Sequence, residues 1–395
     1  MRILFLTPEV PHPPDSGGRL KTSTLIDHLR KEHELTVLCF RRRPLDNAQA
    51  RWLEALPRAR TLPLSRGRDA LTLLRSYAAG VPLSIARNRT PAMAAMVDEE
   101  MARGAFDAVF VDHWLMAQYR PAPFEGLRLL HEHNAEHVIW RRQADRSQNP
   151  LVKREAARVR RYEAEIASGF DRVFAVSAAD RKALIKIGVN GLRVGILPNI
   201  PDPALLEAPD LQLEGTEPVI AYLGTLSWQP NIDGLERFLA DVFPLVQERL
   251  PEARFLVAGR DAPSKLVTLA KRTRGAEFLG DIEEPEALYR RARVMVEATE
   301  TGGGTKLKVL NALARGLPVV ASAEAVEGLA VSDGENILIA RSDVAMAEAI
   351  MRLMGDAPLW QRLSDGGRAL VRQTYVAGVA FRPLDEALSR LSVPN

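Results

Sequence analysis

Residues 294–315 read Val294-Met295-Val296-Glu297-Ala298-Thr299-Glu300-Thr301-Gly302-Gly303-Gly304-Thr305-Lys306-Leu307-Lys308-Val309-Leu310-Asn311-Ala312-Leu313-Ala314-Arg315. A short apolar run leads into a triple-glycine loop, and the loop opens a stretch with helical spacing. Strand, glycine loop and helix in immediate succession form the repeating unit of a parallel sheet covered on both faces. Strands of such sheets read as continuous apolar runs rather than alternating ones. Outward from this block, further strand candidates lie at 219–223, 254–258, 276–279, 318–321 and 336–339. Helical stretches at about 231–248, 263–272, 284–292 and 305–315 separate them. Three more helical stretches follow, at 343–355, at 357–373 and a last one reaching 392.

The same alternation occupies the first half. Strand candidates fall at 2–7, 35–40, 108–111, 127–130, 172–176 and 194–197, with helices at 18–31, 45–56, 66–78 and 150–168. Residues 200–217 break the rhythm with an acidic, proline-punctuated stretch. The chain therefore reads as α/β, with two doubly wound parallel sheets. The expected division is 1–200, a linker at 201–217, a second lobe at 218–373, and a C-terminal helix at 374–395 that crosses back to the first lobe.

Composition agrees with a globular α/β protein. The chain has 395 residues, 46% hydrophobic and 26% charged, which excludes a disordered chain or a coiled-coil rod. The single cysteine, Cys39, excludes an internal disulfide framework and a cysteine-based zinc site. Met1 to Thr7 is too short for a signal-peptide core, and no apolar run approaches the ~18 residues of a membrane span. A cytoplasmic protein is expected. The net charge of +3 hides a split: residues 1–200 carry +10 and residues 201–395 carry −7. Basic stretches at 41–43, 58–75 and 141–161, with Arg154, Arg158 and Arg161 near one helical face, suit an anionic membrane surface. The localisation expected is therefore cytoplasmic, peripheral at the inner face of the membrane. Few aromatics interleave these arginines, so nucleic acid is not an expected partner.

Loops after strands hold the ligands of such sheets. Gly302 to Gly304 let backbone approach a ligand closely, and the helix that follows offers free N–H groups and its positive dipole end. Thr305 adds a hydroxyl, and Lys306 or Lys308 a cation. The spacing is not that of a Walker A loop. Gly17-Gly18, followed by Arg19 and Lys21, repeats the arrangement after the first strand. Two such loops can enclose a diphosphate. His133-x-x-Glu136-His137 formally matches an inverted zinc-peptidase pattern, but no third ligand is indicated and no metal is expected. His133, Asn134 and Glu136 read instead as an acceptor-side cluster that binds hydroxyls, or as a plain polar connection.

Several blocks, in order along the chain, carry a resemblance. They are Pro14-Asp15-Ser16-Gly17-Gly18-Arg19, Phe170 to Ser177, Leu197-Pro198-Asn199, Tyr222-Leu223-Gly224-Thr225 to Asn231, and Gly302 to Ser322 with Glu327-Gly328-Leu329. The chain resembles the retaining GT-B glycosyltransferases of family 4, also described as glycosyl transferases group 1. The resemblance implies two Rossmann-like lobes with a cleft between them. It implies a nucleotide-diphosphate sugar as co-substrate, a hydroxyl acceptor that can be lipid-linked, and neither metal nor other cofactor. It places the base near Asp281 and the diphosphate at the 302–306 loop, with Gly303, Gly304, Thr305 and Lys306, and with Arg260 or Lys306/Lys308 neutralising charge; Gly224 and Leu307 also count among the donor-binding residues. It places His113, after the strand at 108–111, near the donor sugar. No Asp-x-Asp occurs to bridge a metal to the diphosphate.

Two glutamates usual in that family are absent: Gly303 and Asn311 stand in their places. Asn311 can still bond a ribose hydroxyl, more weakly than a carboxylate. The expected function is transfer of a hexose with retention, in cell-surface polysaccharide synthesis. A sugar-nucleotide epimerase, or a non-catalytic nucleotide-sugar binder, is the alternative.

Overall fold

The structure is a computed structural model that describes residues 1–14, 16–64, 70–282, 284–300 and 305–389. The chain divides into two compact units. The first comprises Met1–Pro198 and the C-terminal stretch from Phe381; the second comprises Asn199–Ala380.

Among the described residues the first unit holds seven strands: β1 (Arg2–Thr7), β2 (Glu34–Arg41), β3 (Ala59–Pro63), β4 (Ala108–Asp112), β5 (Leu127–Glu132), β6 (Arg172–Ala175) and β7 (Val194–Ile196). They form one parallel sheet in the order β3-β2-β1-β4-β5-β6-β7. The central strands β1 and β4 are fully buried along nearly their whole length, and Phe5 stacks on Phe110 at 5.0 Å across them. Such strands need both faces covered, so the connecting helices lie on both sides of the sheet. The stretch from Phe381 packs here: Nε2 of His28 lies 2.8 Å from Oδ1 of Asp385.

Among the described residues the second unit holds six strands: β8 (Val219–Leu223), β9 (Arg254–Ala258), β10 (Ala276–Gly280), β11 (Val294–Glu297), β12 (Val319–Ser322) and β13 (Leu338–Ala340). They form a parallel sheet in the order β10-β9-β8-β11-β12-β13. Phe238, Phe243 and Phe255 pack in its core, with ring centroids 4.6–6.2 Å apart. The expected helix at 231–248 is helical throughout, but a π-helical turn at Phe238–Val242 interrupts it.

Both sheets are doubly wound. The chain runs outward from β1 to β3, then returns to β4 on the far side of β1. It does the same from β8 to β10, then back to β11. Each sheet thus has a topological switch point, between β1 and β4 in one and between β8 and β11 in the other. The crevice beyond the carboxyl ends of strands at such a point is where open α/β sheets hold ligands.

Sequence reading missed β3 and the helix Pro91–Arg103. β3 is an edge strand reading Ala-Arg-Thr-Leu-Pro, without the apolar run that marks a buried strand. The helix begins with a Thr90 cap and Pro91 at its first position, a start signal that was available in the sequence.

Candidate active site

Each switch point carries a buried carboxylate as the last residue of its returning strand: Asp112 ends β4 and Glu297 ends β11. Neither was among the expected site residues.

Asp112 is fully buried and gathers four donors from three segments. Its Oδ2 accepts from the hydroxyls of Thr7, at the end of β1, at 3.4 Å and Thr22, on the helix Gly17–Leu29, at 2.5 Å. Its Oδ1 lies 2.7 Å from Nδ1 of His131 and 2.8 Å from Nε2 of His133. Burial alone pushes the Asp112 carboxyl up. The charge of His133 and the hydrogen bonds of both imidazoles outweigh it and hold the group well below the usual carboxylate range. A buried ionised carboxylate persists only when its lone pairs are satisfied, and these are.

His131 is buried, and burial with the nearby Lys21 charge pulls it down to about 3, so it is neutral at pH 7. Its Nδ1–H therefore donates to Asp112, and its Nε2, without a partner among the described residues, is a bare lone pair. Asp112, His131 and His133 bring three ligand atoms within 4.8 Å of one another, close enough to suggest a metal. A metal on Nδ1 of His131 would move the proton to Nε2 and leave a buried N–H unpaired, which costs about 1–3 kcal/mol. The geometry fits a hydrogen-bond hub better.

His113 follows Asp112 with φ +86°, an uncommon backbone state for a residue other than glycine. Its Nδ1 accepts from Leu115 N at 3.3 Å, and its ring packs edge-on against His133 at 5.1 Å. Burial first, then the His133 charge, pulls it down to about 3. A neutral imidazole whose Nδ1 accepts must carry its proton on Nε2, so His113 offers an N–H donor. Gly18 sits beside the same cluster: a side chain there would lie 3.8 Å from Nδ1 of His133. Gly17 and Gly18 form the exposed first turn of their helix.

One sequence reading is corrected here. Lys21, read as a cation beside the glycine pair, is buried and donates to the carbonyls of Leu197, at 2.6 Å, and Pro198; burial pulls its ammonium down to about 7. His133 and His137 do not share a metal face, because His133 turns to Asp112 while Nδ1 of His137 lies 2.5 Å from Glu163. Glu136 is half-buried, and its carboxyl, bonded by Asn134, is pushed up to about 8 by burial and by the Glu163 charge. Glu132, at the end of β5, is fully buried with both oxygens unpartnered among the described residues. Burial and the surrounding carboxylates hold it well above the usual range, as a neutral acid.

In the second unit Glu297 accepts from the N–H of Thr299, at 3.1 Å, and from its hydroxyl. Its other oxygen pairs with Nζ of Lys308 at 2.5 Å. The same ammonium donates to Tyr222 OH at 2.6 Å and to Oδ1 of Asn231 at 2.9 Å. Burial alone raises Glu297, but Lys308 and Thr299 bring it below the ordinary value; burial lowers Lys308 despite its partner. Lys308 was read as a diphosphate cation. Its ammonium is instead spent on this buried network, which ties the helix Leu307–Arg315 to β8 and β11.

The loops after β8, β9 and β10 are laced together. Gly224 N donates to Ala258 O, Leu226 N to Arg260 O, and Gly259 N to Gly280 O, at 2.8–3.1 Å. A side chain on Gly259 would run into the carbonyl of Gly224, so only glycine permits this approach. Asp281 is exposed just past β10. The hydroxyl of Thr305 accepts from Asn199. Lys306 and Leu307 are half-buried at the start of the helix. Asn311 uses its Oδ1 to accept from Asp202 N at 3.1 Å and also bonds Tyr289. Gly303 and Gly304 lie outside the described residues.

Residues 217–356, which contain all six strands of the second sheet, match the family described as Glycosyl transferases group 1. Sucrose-phosphate synthase from Thermosynechococcus elongatus superposes with a TM-score of 0.73 at 19% identity, covering 99% of each chain. HepE from Anabaena, solved in complex with UDP and glucose, superposes with a TM-score of 0.67 at 16% identity, over 98% of this chain and 99% of that one. The fold is that of the GT-B glycosyltransferases. A curated relative, an uncharacterized 44.6 kDa protein in the cps region of Klebsiella pneumoniae, is 21% identical over 96% of this chain and 98% of its own. Among the described residues no helix is long and apolar enough to cross a membrane.

Proposed function

We propose that this GT-B protein transfers a hexose from a nucleoside-diphosphate sugar to a hydroxyl acceptor with retention, in the assembly of a surface polysaccharide. The observation that carries the reading is the group 1 match of residues 217–356, laid over a sheet whose switch point is bordered by Gly224, Arg260 and the helix opening at Leu307. The Klebsiella relative in a cps region supports the polysaccharide setting.

On this reading the second unit holds the donor. Arg260, Thr305, Lys306 and the first free N–H groups of the helix Leu307–Arg315 face the diphosphate, and Asp281 lies toward the base. Preorganised donors of this kind stabilise a departing diphosphate without a metal. The first unit supplies a neutral His113 whose Nε2–H donates to a sugar oxygen. His133 and Asn134, with the protonated Glu136, receive the acceptor hydroxyls. No cofactor is required beyond the donor itself.

Incubation with a panel of nucleotide sugars tests the reading. Release of the nucleoside diphosphate, with an α-linked product by NMR from an α-linked donor, is expected. Release of nucleoside diphosphate with the inverted anomer would overturn retention alone.

One observation favours a second reading. Asn311 replaces a carboxylate, and its oxygen is already engaged by Asp202. A protein that binds nucleotide sugar without transferring it would show binding of the nucleoside diphosphate and no turnover.

A further inference from the structure

The helix Ala70–Ala78 is inside out. Its inward position is polar: Ser76 is fully buried and Thr72 half-buried. Its outward positions are apolar: Leu71 is 52% exposed, Leu73 46%, Leu74 65% and Tyr77 37%. A helix resting on a protein core ordinarily has the opposite polarity. Nine large hydrophobic side chains are exposed among the described residues, and four of them stand on these nine residues. A fifth, Leu151, begins the helix Pro150–Ser168, one turn before Arg154, whose guanidinium covers the Tyr77 ring at 5.2 Å. Single exposed leucines need no explanation, but a contiguous group does.

The orientation is locked. Ser76 Oγ donates to Val81 O at 2.8 Å. The buried Arg158 donates through one Nη to Ser76 O at 2.7 Å, to Ser76 Oγ at 2.8 Å and to Val81 O. Its other Nη pairs with Glu155 at 2.8 Å, and Glu155 accepts from Leu83 N at 2.5 Å. Rolling the helix to bury its leucines would strip the Arg158 guanidinium of these partners inside the protein. The sequence placed Arg158 on an outward cationic face; the structure spends it on holding the leucines outward.

We propose that this helix lies on an anionic lipid bilayer, with Leu71, Leu73, Leu74 and Leu151 entering the headgroup–acyl boundary. The charge around it selects that partner. Arg75, Lys153 and Arg154 are exposed beside the leucines, and the helix carries no acidic residue. Leucines flanked by cations, on an element too short to span, make an interfacial surface rather than a transmembrane one. A second copy of the chain is disfavoured, because residues 1–200 carry +10 and would repel themselves. The proposal goes beyond the transfer reading and stands without it.

Sedimentation of the full-length protein with vesicles tests it, with no donor or acceptor present. Vesicles of phosphatidylcholine containing about a third phosphatidylglycerol should pellet the protein, and pure phosphatidylcholine far less, with binding weakened by salt. The double variant Leu71→Gln/Leu74→Gln should lower partitioning by about tenfold while its thermal midpoint stays unchanged, since both side chains already face water. In a Tyr77→Trp variant the emission should shift to the blue on adding anionic vesicles. Equal pelleting of wild type and double variant would overturn the proposal. So would absence of wild-type binding, or concentration-dependent self-association that the double variant abolishes.

Discussion

Nε2 of His133 lies 2.8 Å from Oδ1 of Asp112, the oxygen that Nδ1 of His131 also holds at 2.7 Å. One buried carboxylate therefore fixes two imidazoles, and through the edge-on ring contact it also sets His113. Replacing Asp112 by Ala strands buried partners, so a loss of about 3–5 kcal/mol is expected in urea unfolding. Asp112→Asn keeps the volume and costs less. A loss under about 0.5 kcal/mol for Asp112→Ala would mean that the hub does not order the site.

On the proposed function His113 acts on the sugar side, whereas the nucleotide is assigned to the other unit. His113→Ala should lower turnover by about a hundredfold, the usual effect of removing one preorganised donor. Binding of the nucleoside diphosphate should be unchanged by calorimetry. Equal losses in both measurements would contradict this division of labour.

Glu297 and Lys308 form the counterpart in the second unit. Lys308→Met leaves a buried carboxylate unpaired and should cost about 3–5 kcal/mol, and the double variant Lys308→Met/Glu297→Gln should recover part of it. Glu297 titrates below its ordinary 4.5 in the folded protein. Its contribution is thus present above the unfolded value and is lost as pH falls through the lower folded value. Denaturation of the wild type below pH 4.5 should be steeper than that of the double variant.

Glu136 works in the opposite direction. Its folded value is about 8, raised from 4.5. Between these values the folded state binds more protons than the unfolded one, so this group's contribution is full below about 4.5 and is lost as pH rises through about 8. Thermal midpoints measured from pH 5 to 8 should therefore decline less in Glu136→Gln than in the wild type. Identical slopes would show that Glu136 is ionised in the fold.

Much of this was legible in the sequence. Continuous apolar runs separated by helices announced two parallel sheets, and both are present. The hubs were less visible, although a signal existed: the runs ending β4 and β11 read Ala-Val-Phe-Val-Asp and Val-Met-Val-Glu, each closing an apolar strand on a carboxylate. Histidine spacing did not reveal the hub, for a physical reason. His133 and His137 were weighed at helical spacing, but the pair that converges is His131 and His133, two apart at a strand end, where alternate residues share a face. The polarity of the helix Ala70–Ala78 was hidden because its leucines also fit a core-facing pattern. Only the Arg158 bonds reveal which side turns inward.

Gly259 offers a test of the loops after β8 and β9 alone. A methyl group there meets the Gly224 carbonyl, so Gly259→Ala must part the loops after β8 and β9. A destabilisation of about 1–3 kcal/mol is expected in urea unfolding, together with weaker nucleotide binding. Wild-type stability in Gly259→Ala would mean that these loops are not held together as described.

The most direct measurement is calorimetric titration of the full-length protein with nucleoside diphosphates, paired with release of the same diphosphate from its sugar conjugate. Saturable binding of one diphosphate, displaced by its nucleotide sugar, weakened in Gly259→Ala and unaffected in His113→Ala, is the predicted result. Absence of binding by every nucleoside diphosphate at millimolar concentration, with no diphosphate released from any sugar nucleotide, would contradict it.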